Sequence, residues 1–192
     1  MKKPVVAILG IFLLASGAAA INIKIEAGVF AGLRTVSDAT IKDTYGQGLV
    51  FFPYADLEII KGFALGAGYE FGYSKTAKLG IFEEDATLKV AGFEVFAAFQ
   101  PRIKKISPYL AVGIGFFSYT QTVESAYARD VDFSKTTFLV AGGIKFYPIK
   151  GLYVAAEAKF IPLKVKPFED EDAVDLGGLR LSLGAGYTFG SK

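Results

Sequence analysis

The sequence contains no cysteine, no histidine and no tryptophan. Without cysteine there are no disulfide bridges and no lipid-bearing cysteine of a lipoprotein. Without histidine, Ser-His-Asp and Cys-His catalytic groups and most zinc sites are excluded. We therefore predict that the protein is not an enzyme and has no catalytic residue, cofactor or metal site. A lipid-modifying enzyme that works without histidine stays as a weaker alternative.

Long apolar runs are also missing, except at the start of the chain. A basic start at Lys2 and Lys3 precedes an apolar run over residues 5–14 and a small-residue segment that ends in Ala18-Ala19-Ala20. This order predicts a secretory signal peptide over residues 1–20, followed by one domain over residues 21–192. An uncleaved anchor helix is the alternative, but its apolar part is shorter than the roughly 20 residues that a spanning helix needs.

The net charge of the chain is low. Of 21 basic residues, Lys2 and Lys3 leave with the leader, so the mature chain carries 19 basic and 19 acidic residues. A balanced charge argues against nucleic acid as a partner.

What the sequence does contain is alternation with a period of two. From Leu179 to Phe189 the odd positions are apolar, whereas Arg180, Ser182, Thr188 and two glycines occupy the even ones. This pattern indicates a strand with two chemically opposed faces. Similar stretches predict eight strands, over residues 21–33, 46–60, 63–73, 86–99, 109–120, 133–147, 152–165 and 178–189.

Three positions interrupt the alternation. Pro53 predicts a bulge or local defect, because proline cannot donate a hydrogen bond to the neighbouring strand. The apolar positions change phase near Gly92, which predicts a bulge there. A further slip at Pro162 would bring Leu163 and Val165 onto the outward face.

The volume of a barrel decides which face points inward. An eight-stranded barrel is only just wide enough for its own side chains, so roughly forty large apolar residues could not fit inside it. A soluble lipocalin-like barrel, with its apolar face inward, is therefore disfavoured. Small residues should point inward and the large apolar face outward, where only a bilayer could accept it. We predict an all-β fold, an eight-stranded antiparallel up-and-down transmembrane β-barrel.

The inward face would also carry charged residues of both signs. Unpaired charges in such a space would be costly, so we expect these groups to pair across the lumen and to plug it. The predicted lumenal charge network comprises Lys24, Glu26, Asp56, Glu58, Glu70, Lys89, Glu94, Lys145, Glu157, Lys159 and Arg180.

The links between strands alternate in length and charge. Those after the first, third, fifth and seventh strands have about a dozen residues each, and the others are short, as in outer-membrane barrels. The long links are rich in acid at residues 83–85 and 169–172, whereas the short-link side is basic. The cluster at residues 169–172 could gather Ca²⁺, although a solvated loop is the simpler interpretation.

These features resemble the small outer-membrane β-barrel proteins of diderm bacteria, the OmpA-transmembrane-domain, OmpX and OmpW-like group. The closing strand carries the most specific likeness. It matches the family's assembly signal at Ser182, Gly184, Tyr187 and Phe189. The resemblance implies an outer-membrane location, recognition by the barrel assembly machinery, contact with outer-membrane lipid and a monomer with both chain ends in the periplasm.

Because the charged groups should fill the lumen, we expect a role in envelope structure or surface interaction through four loops, with an unknown surface ligand. A narrow, porin-like pore or a hydrophobic-solute channel of the OmpW-like kind is the alternative.

Overall fold

A computed structural model describes residues 24–79, 84–123, 131–165 and 174–190. Within them, eight strands form a closed antiparallel barrel, because the first strand pairs with both the second and the last. The elements in chain order are β1 (Lys24–Arg34), α1 (Ala39–Tyr45), β2 (Gly48–Ile60), β3 (Phe63–Leu79), β4 (Glu84–Phe99), β5 (Ile106–Val123), β6 (Val131–Phe146), β7 (Leu152–Ile161), β8 (Lys164–Val165), β9 (Val174–Asp175) and β10 (Gly178–Phe189). The barrel order is β1-β10-β7-β6-β5-β4-β3-β2, and β8 and β9 form a separate small hairpin. The predicted fold class is confirmed.

The large apolar side chains lie on the outside of the barrel, as predicted. In β7, burial alternates at every residue from Leu152 to Ile161, with Val154 and Phe160 outside and Tyr153 inside. Leu183 of β10 is 71% exposed. An apolar surface of this extent is unsuited to water and matches a bilayer.

No helix among the described residues has the length and apolar character needed to cross a membrane.

Lumen-facing glycines make room for aromatic rings. A Cβ atom added to Gly68 would come within 2.4 Å of the Phe52 ring, and one at Gly66 within 2.4 Å of the Phe96 ring. Aromatic rings thus pack beside glycines on the inner face of the barrel.

The bulge predicted at Gly92 is wrong, and so is the lumenal position of Lys89. β4 keeps a single alternation, and the register shift lies in β3 between Glu70 and Tyr73, where Gly72 has a φ of 105°. Lys89 is exposed on the outer surface, while Leu88 and Val90 are buried inside. The apolar phase changes because β4 leaves the apolar belt: there the outer face becomes polar and the inner face becomes apolar.

Of the two other predicted interruptions, the one at Pro53 is confirmed and the one at Pro162 is not. β2 has no register shift at Pro53, since Phe51↔Phe71 and Tyr54↔Gly68 share one register, but Phe52 and Pro53 are not among the residues paired with β3. The local defect predicted at Pro53 is therefore a gap in pairing, without a bulge. β7 ends at Ile161, and Leu163 is buried rather than outward-facing because it joins an interior apolar cluster.

The two ends of the barrel differ. At one end, called here the short-turn end, β1 begins and β10 ends, and the links from β2 to β3, from β4 to β5 and from β6 to β7 are short. At the opposite, long-loop end, β3 continues to Leu79 and β4 begins at Glu84. Much of the link predicted between them, residues 74–85, is therefore strand. The same holds for β5 and β6.

The first long link contains a helix that the sequence pattern did not predict. Asp38 caps α1 by accepting a hydrogen bond from the Ile41 amide at 3.1 Å. Tyr45, at the end of α1, is buried with Tyr73, Leu163 and Leu176 in an apolar cluster at the long-loop end. Burial raises the pKa of Tyr45 above its ordinary value, and the Tyr45 hydroxyl accepts a hydrogen bond from Gln121 at 3.0 Å.

Candidate functional site in the barrel interior

Glu70 is the centre of the larger group of buried charges. Its carboxylate is fully buried and accepts hydrogen bonds from two guanidinium groups, those of Arg34 and Arg180. The Arg180 contact measures 2.6 Å. Because Arg34, Glu70 and Arg180 come from β1, β3 and β10, these contacts join strands on different sides of the lumen.

Arg180 also extends the group toward β7. Its second terminal nitrogen donates to Glu157 at 2.6 Å, and Tyr109 donates to the other oxygen of Glu157 at 3.0 Å. Lys159 donates to Glu94. We call Arg34, Glu70, Glu94, Glu157, Lys159 and Arg180 the long-loop network. Its three basic and three acidic groups balance, as buried charges require.

A second group, the short-turn network, consists of Glu26, Asp56, Gln100 and Lys145. Lys145 donates to Glu26 and, at 2.7 Å, to the Gln100 side-chain oxygen. Its ammonium nitrogen lies 3.7 Å from an Asp56 oxygen, and Gln100 donates to Asp56 at 3.3 Å. One ammonium therefore serves two carboxylates. Tyr147 also donates to Glu26, at 2.6 Å.

Four rings, those of Phe30, Phe52, Tyr54 and Phe96, form an aromatic layer that contacts both networks. Phe30 stacks on Tyr54 with centroids 5.4 Å apart, and Tyr54 lies 6.3 Å from Phe96. The Lys159 ammonium lies 3.8 Å from the centroid of Phe52, a favourable position for a cation beside a ring face.

The free space around the aromatic layer is small. A cavity of about 20 Å³ touches Tyr54, Phe96, Lys145 and Lys159, and this volume suffices for about one water molecule. Buried aromatic and charged side chains line this cavity.

The structure places the eleven predicted lumenal charges in three settings. Eight are buried and take part in the two networks: Glu26, Asp56, Glu70, Glu94, Lys145, Glu157, Lys159 and Arg180. Lys24 and Glu58 form a partly exposed ion pair of 3.1 Å at the short-turn end. Lys89 lies outside the barrel, as described above.

Sequence reasoning missed Arg34 and Gln100, which both lay in predicted links. The signal for Arg34 was available, since it continues the inward series of Phe30 and Gly32 by two residues. Gln100 follows β4 directly, and Ala98 before it also points inward. In both cases the strand alternation extends one step farther than the apolar residues do.

The four residues of the predicted assembly signal fall on the two faces of β10. Ser182 is buried, and Gly184 lies against the Phe30 ring. Tyr187 and Phe189 are on the outer face, with ring centroids 4.9 Å apart.

A metal site is not apparent: among the described residues, no group of three or more His, Cys, Asp or Glu side chains is arranged to hold a metal ion. The acidic cluster at residues 169–172 and the predicted leader over residues 1–20 lie outside the described residues.

Comparison with known proteins agrees with this architecture. Residues 5–189 match the family described as outer membrane protein beta-barrel domain. The chain belongs to this family. It is an outer-membrane β-barrel protein, located in the outer membrane of a Gram-negative bacterium.

Solved structures of other outer-membrane proteins share the fold. Neisserial surface protein A is similar with a TM-score of 0.60 at 12% identity, covering 87% of this chain and 97% of that one. OprG from Pseudomonas aeruginosa gives a TM-score of 0.68 at 10% identity, covering 87% and 95%. Ail of Yersinia pestis, solved with the heparin analogue sucrose octasulfate, gives 0.56 at 19%, covering 87% and 98%. At such low identity the likeness concerns the fold alone. No curated protein matches the sequence.

Proposed function

We propose that this outer-membrane barrel has a structural or surface-interaction role and that its lumen is plugged. The supporting observation is the filled interior, in which two hydrogen-bonded charge networks contact the aromatic layer. Ions crossing the lumen would have to displace charged groups that already hold one another, and each displacement leaves a buried charge without its partner.

Recording from planar bilayers tests the plug. The wild-type barrel should give no steady conductance steps, whereas the double variant F52A/F96A, which removes two rings of the aromatic layer, should give measurable steps. The matched control is F93A/F116A, because these two rings form a cross-strand pair on the outer face. Steady steps from the wild type would contradict the plug and support the pore.

The alternative function, a hydrophobic-solute channel, draws on a depression in the outer wall. This depression is shallow and open, lies beside β1, β7 and β10, and is lined by Ala31, Ala156, Ala158 and Leu183. A channel of this kind predicts protein-dependent uptake of a long-chain aliphatic solute into liposomes, lowered by A156F. Equal uptake with and without the protein would rule it out.

The long-loop end supplies the surface for interaction. Beyond the apolar belt, the outer faces of β3 to β6 carry exposed polar groups such as Ser74, Thr76, Lys89, Ser118 and Ser134. Because Ail was solved in complex with a heparin analogue, sulfated glycans are a first class of ligand to assay. Catalysis is not part of the proposed role, and lipid A from cells expressing the protein should keep its mass.

The proposal also covers cleavage of the leader and assembly of the barrel in the membrane. Residues 1–20 act as a cleaved leader, and the barrel assembly machinery reads Ser182, Gly184, Tyr187 and Phe189. The barrel is a monomer with both chain ends in the periplasm. The variant F189S should reduce the heat-modifiable barrel in cell envelopes yet refold normally in detergent, and normal amounts in cells would contradict the assignment.

A further inference from the structure

The short-turn end carries charge of one sign. Its exposed charged turn residues are Lys61, Arg102, Lys104, Lys105 and Lys150, all of them basic. The segments 59–63, 100–108 and 147–152 contain no aspartate or glutamate. The nearest acids are already paired, since Glu58 binds Lys24 and Glu26 binds Lys145.

Exposed isoleucines lie beside these basic groups in each turn. Ile60, Ile103 and Ile149 are 68%, 62% and 64% exposed, and each is next to a lysine or an arginine in the sequence. The apolar belt therefore continues to the tips of the turns. At the long-loop end, in contrast, the outer face turns polar while the strands still run, as at Ser74 and Ser118.

Because apolar residues reach the tips of the short turns, these turns should lie at the level of the lipid headgroups. A bilayer that covers the exposed isoleucines brings its headgroup layer level with the turn lysines. Lysine and arginine side chains can then reach the phosphates while their aliphatic stems stay against apolar surface. The charge of the site fits an anionic headgroup better than a zwitterionic one.

The backbone supplies a second observation. Lys104 has a φ of 58°, and no other non-glycine residue in the described part of the chain has a positive φ. Glycine would adopt this conformation without strain. In the other two turns the positive φ, 84°, belongs to a glycine, Gly62 or Gly151, which follows the turn lysine. Lys104 thus adds a positive charge at the tip of the turn, at the cost of backbone strain that glycine would avoid.

We propose that the three short turns form a binding surface for anionic glycerophospholipid headgroups, with Lys61, Lys104, Lys105 and Lys150 contacting phosphate and Ile60, Ile103 and Ile149 contacting the acyl region. Arg102 is held at this surface by its guanidinium, which lies 3.8 Å from the Tyr147 ring centroid. With both chain ends in the periplasm, as proposed above, this lipid lies in the inner leaflet. The lipid preference itself does not depend on that orientation.

Native mass spectrometry of the folded full chain in detergent tests the preference. Phosphatidylglycerol should bind more tightly than phosphatidylcholine of the same acyl chains. Each turn lysine removed should weaken phosphatidylglycerol binding about fivefold, the usual effect of one basic residue at an anionic surface. The triple variant K61Q/K104Q/K150Q should therefore lose most of the preference and keep its phosphatidylcholine binding.

The matched control is K75Q/K89Q/K135Q, which removes three lysines from β3, β4 and β6 toward the long-loop end. Its lipid preference should equal that of the wild type. An equal loss in both triple variants would show that net charge alone acts, and an unchanged preference in K61Q/K104Q/K150Q would overturn the site. Competition by soluble glycerol phosphate at the same concentration would assign the turns to a soluble anion and overturn the lipid proposal.

The single variant K104G separates lipid binding from folding. Because glycine relieves the positive φ, thermal stability in detergent should stay the same or rise, while phosphatidylglycerol binding falls about fivefold. Unchanged binding in K104G would remove Lys104 from the site.

Discussion

At the scale of single residues, Arg180 joins two buried carboxylates in the lumen. It donates to Glu70 and to Glu157 at 2.6 Å each, and it is almost fully buried. Replacing it by methionine keeps much of its length but leaves two carboxylates short of a partner. We expect R180M to cost about 3–5 kcal/mol, as is usual when a buried ion pair loses one member.

Thermal unfolding in detergent, followed by heat-modifiable migration, measures this loss. The matched control is K89M, because Lys89 is exposed on the outer face and its loss should change stability by less than about 0.5 kcal/mol. E70Q should also lower the unfolding temperature, since a neutral amide cannot satisfy two guanidinium groups. Wild-type unfolding temperatures in both R180M and E70Q would show that the network does not stabilise the barrel.

Within the apolar belt, the sequence predicts correctly which residues point inward, because there the apolar face of each strand always faces lipid. Glu70, Glu157 and Arg180 could all be placed in the lumen from parity alone, but their partners could not. Partner choice depends on which strands face each other across the bore and on how far each side chain reaches. The same rule failed at Lys89, because the strand has left the apolar belt there and polar residues belong outside.

At the scale of elements, the barrel strands could be predicted and the helix could not. Strands β3 to β6 extend beyond their predicted ends, because apolar alternation stops while hydrogen bonding continues. α1 has only seven residues, too few to show a helical repeat. Its position follows from the burial of Tyr45 at the long-loop end. This tertiary contact cannot be predicted from the local sequence pattern.

The cap of α1 gives a test at this scale. Asp38 accepts the Ile41 amide at 3.1 Å, so D38A should destabilise the helix by about 1 kcal/mol. Because α1 packs at the long-loop end and not within the barrel wall, the loss should appear as faster amide hydrogen exchange over residues 39–45, with little change in barrel strands. D43A is the control, since Asp43 is an exposed residue within the same helix. Equal exchange in D38A and the wild type would show that the cap is not needed.

At the scale of the whole molecule, one arrangement explains the composition. Large apolar groups face lipid, so the lumen must accept the polar groups, and the lumen is too narrow to leave them hydrated. Ion pairing and aromatic packing are the two ways to fill such a bore, and the barrel uses both. The buried groups nearly balance, with four basic side chains against five carboxylates, because a large excess of either sign would leave buried charges unpaired.

A single arginine on the outer face tests this arrangement. Leu183 is the most exposed of the large apolar residues of β10, and its strand neighbours Ala31 and Ala156 are also apolar. Near the bilayer midplane, L183R should lower the free energy of unfolding by about 2–4 kcal/mol. The measurement is reversible unfolding in lipid vesicles. S118R supplies the control, because Ser118 is exposed on the polar part of β5 and an arginine there should cost no more than about 1 kcal/mol. If L183R were as stable as S118R, Leu183 would not face lipid, and the orientation of both faces would have to be reversed.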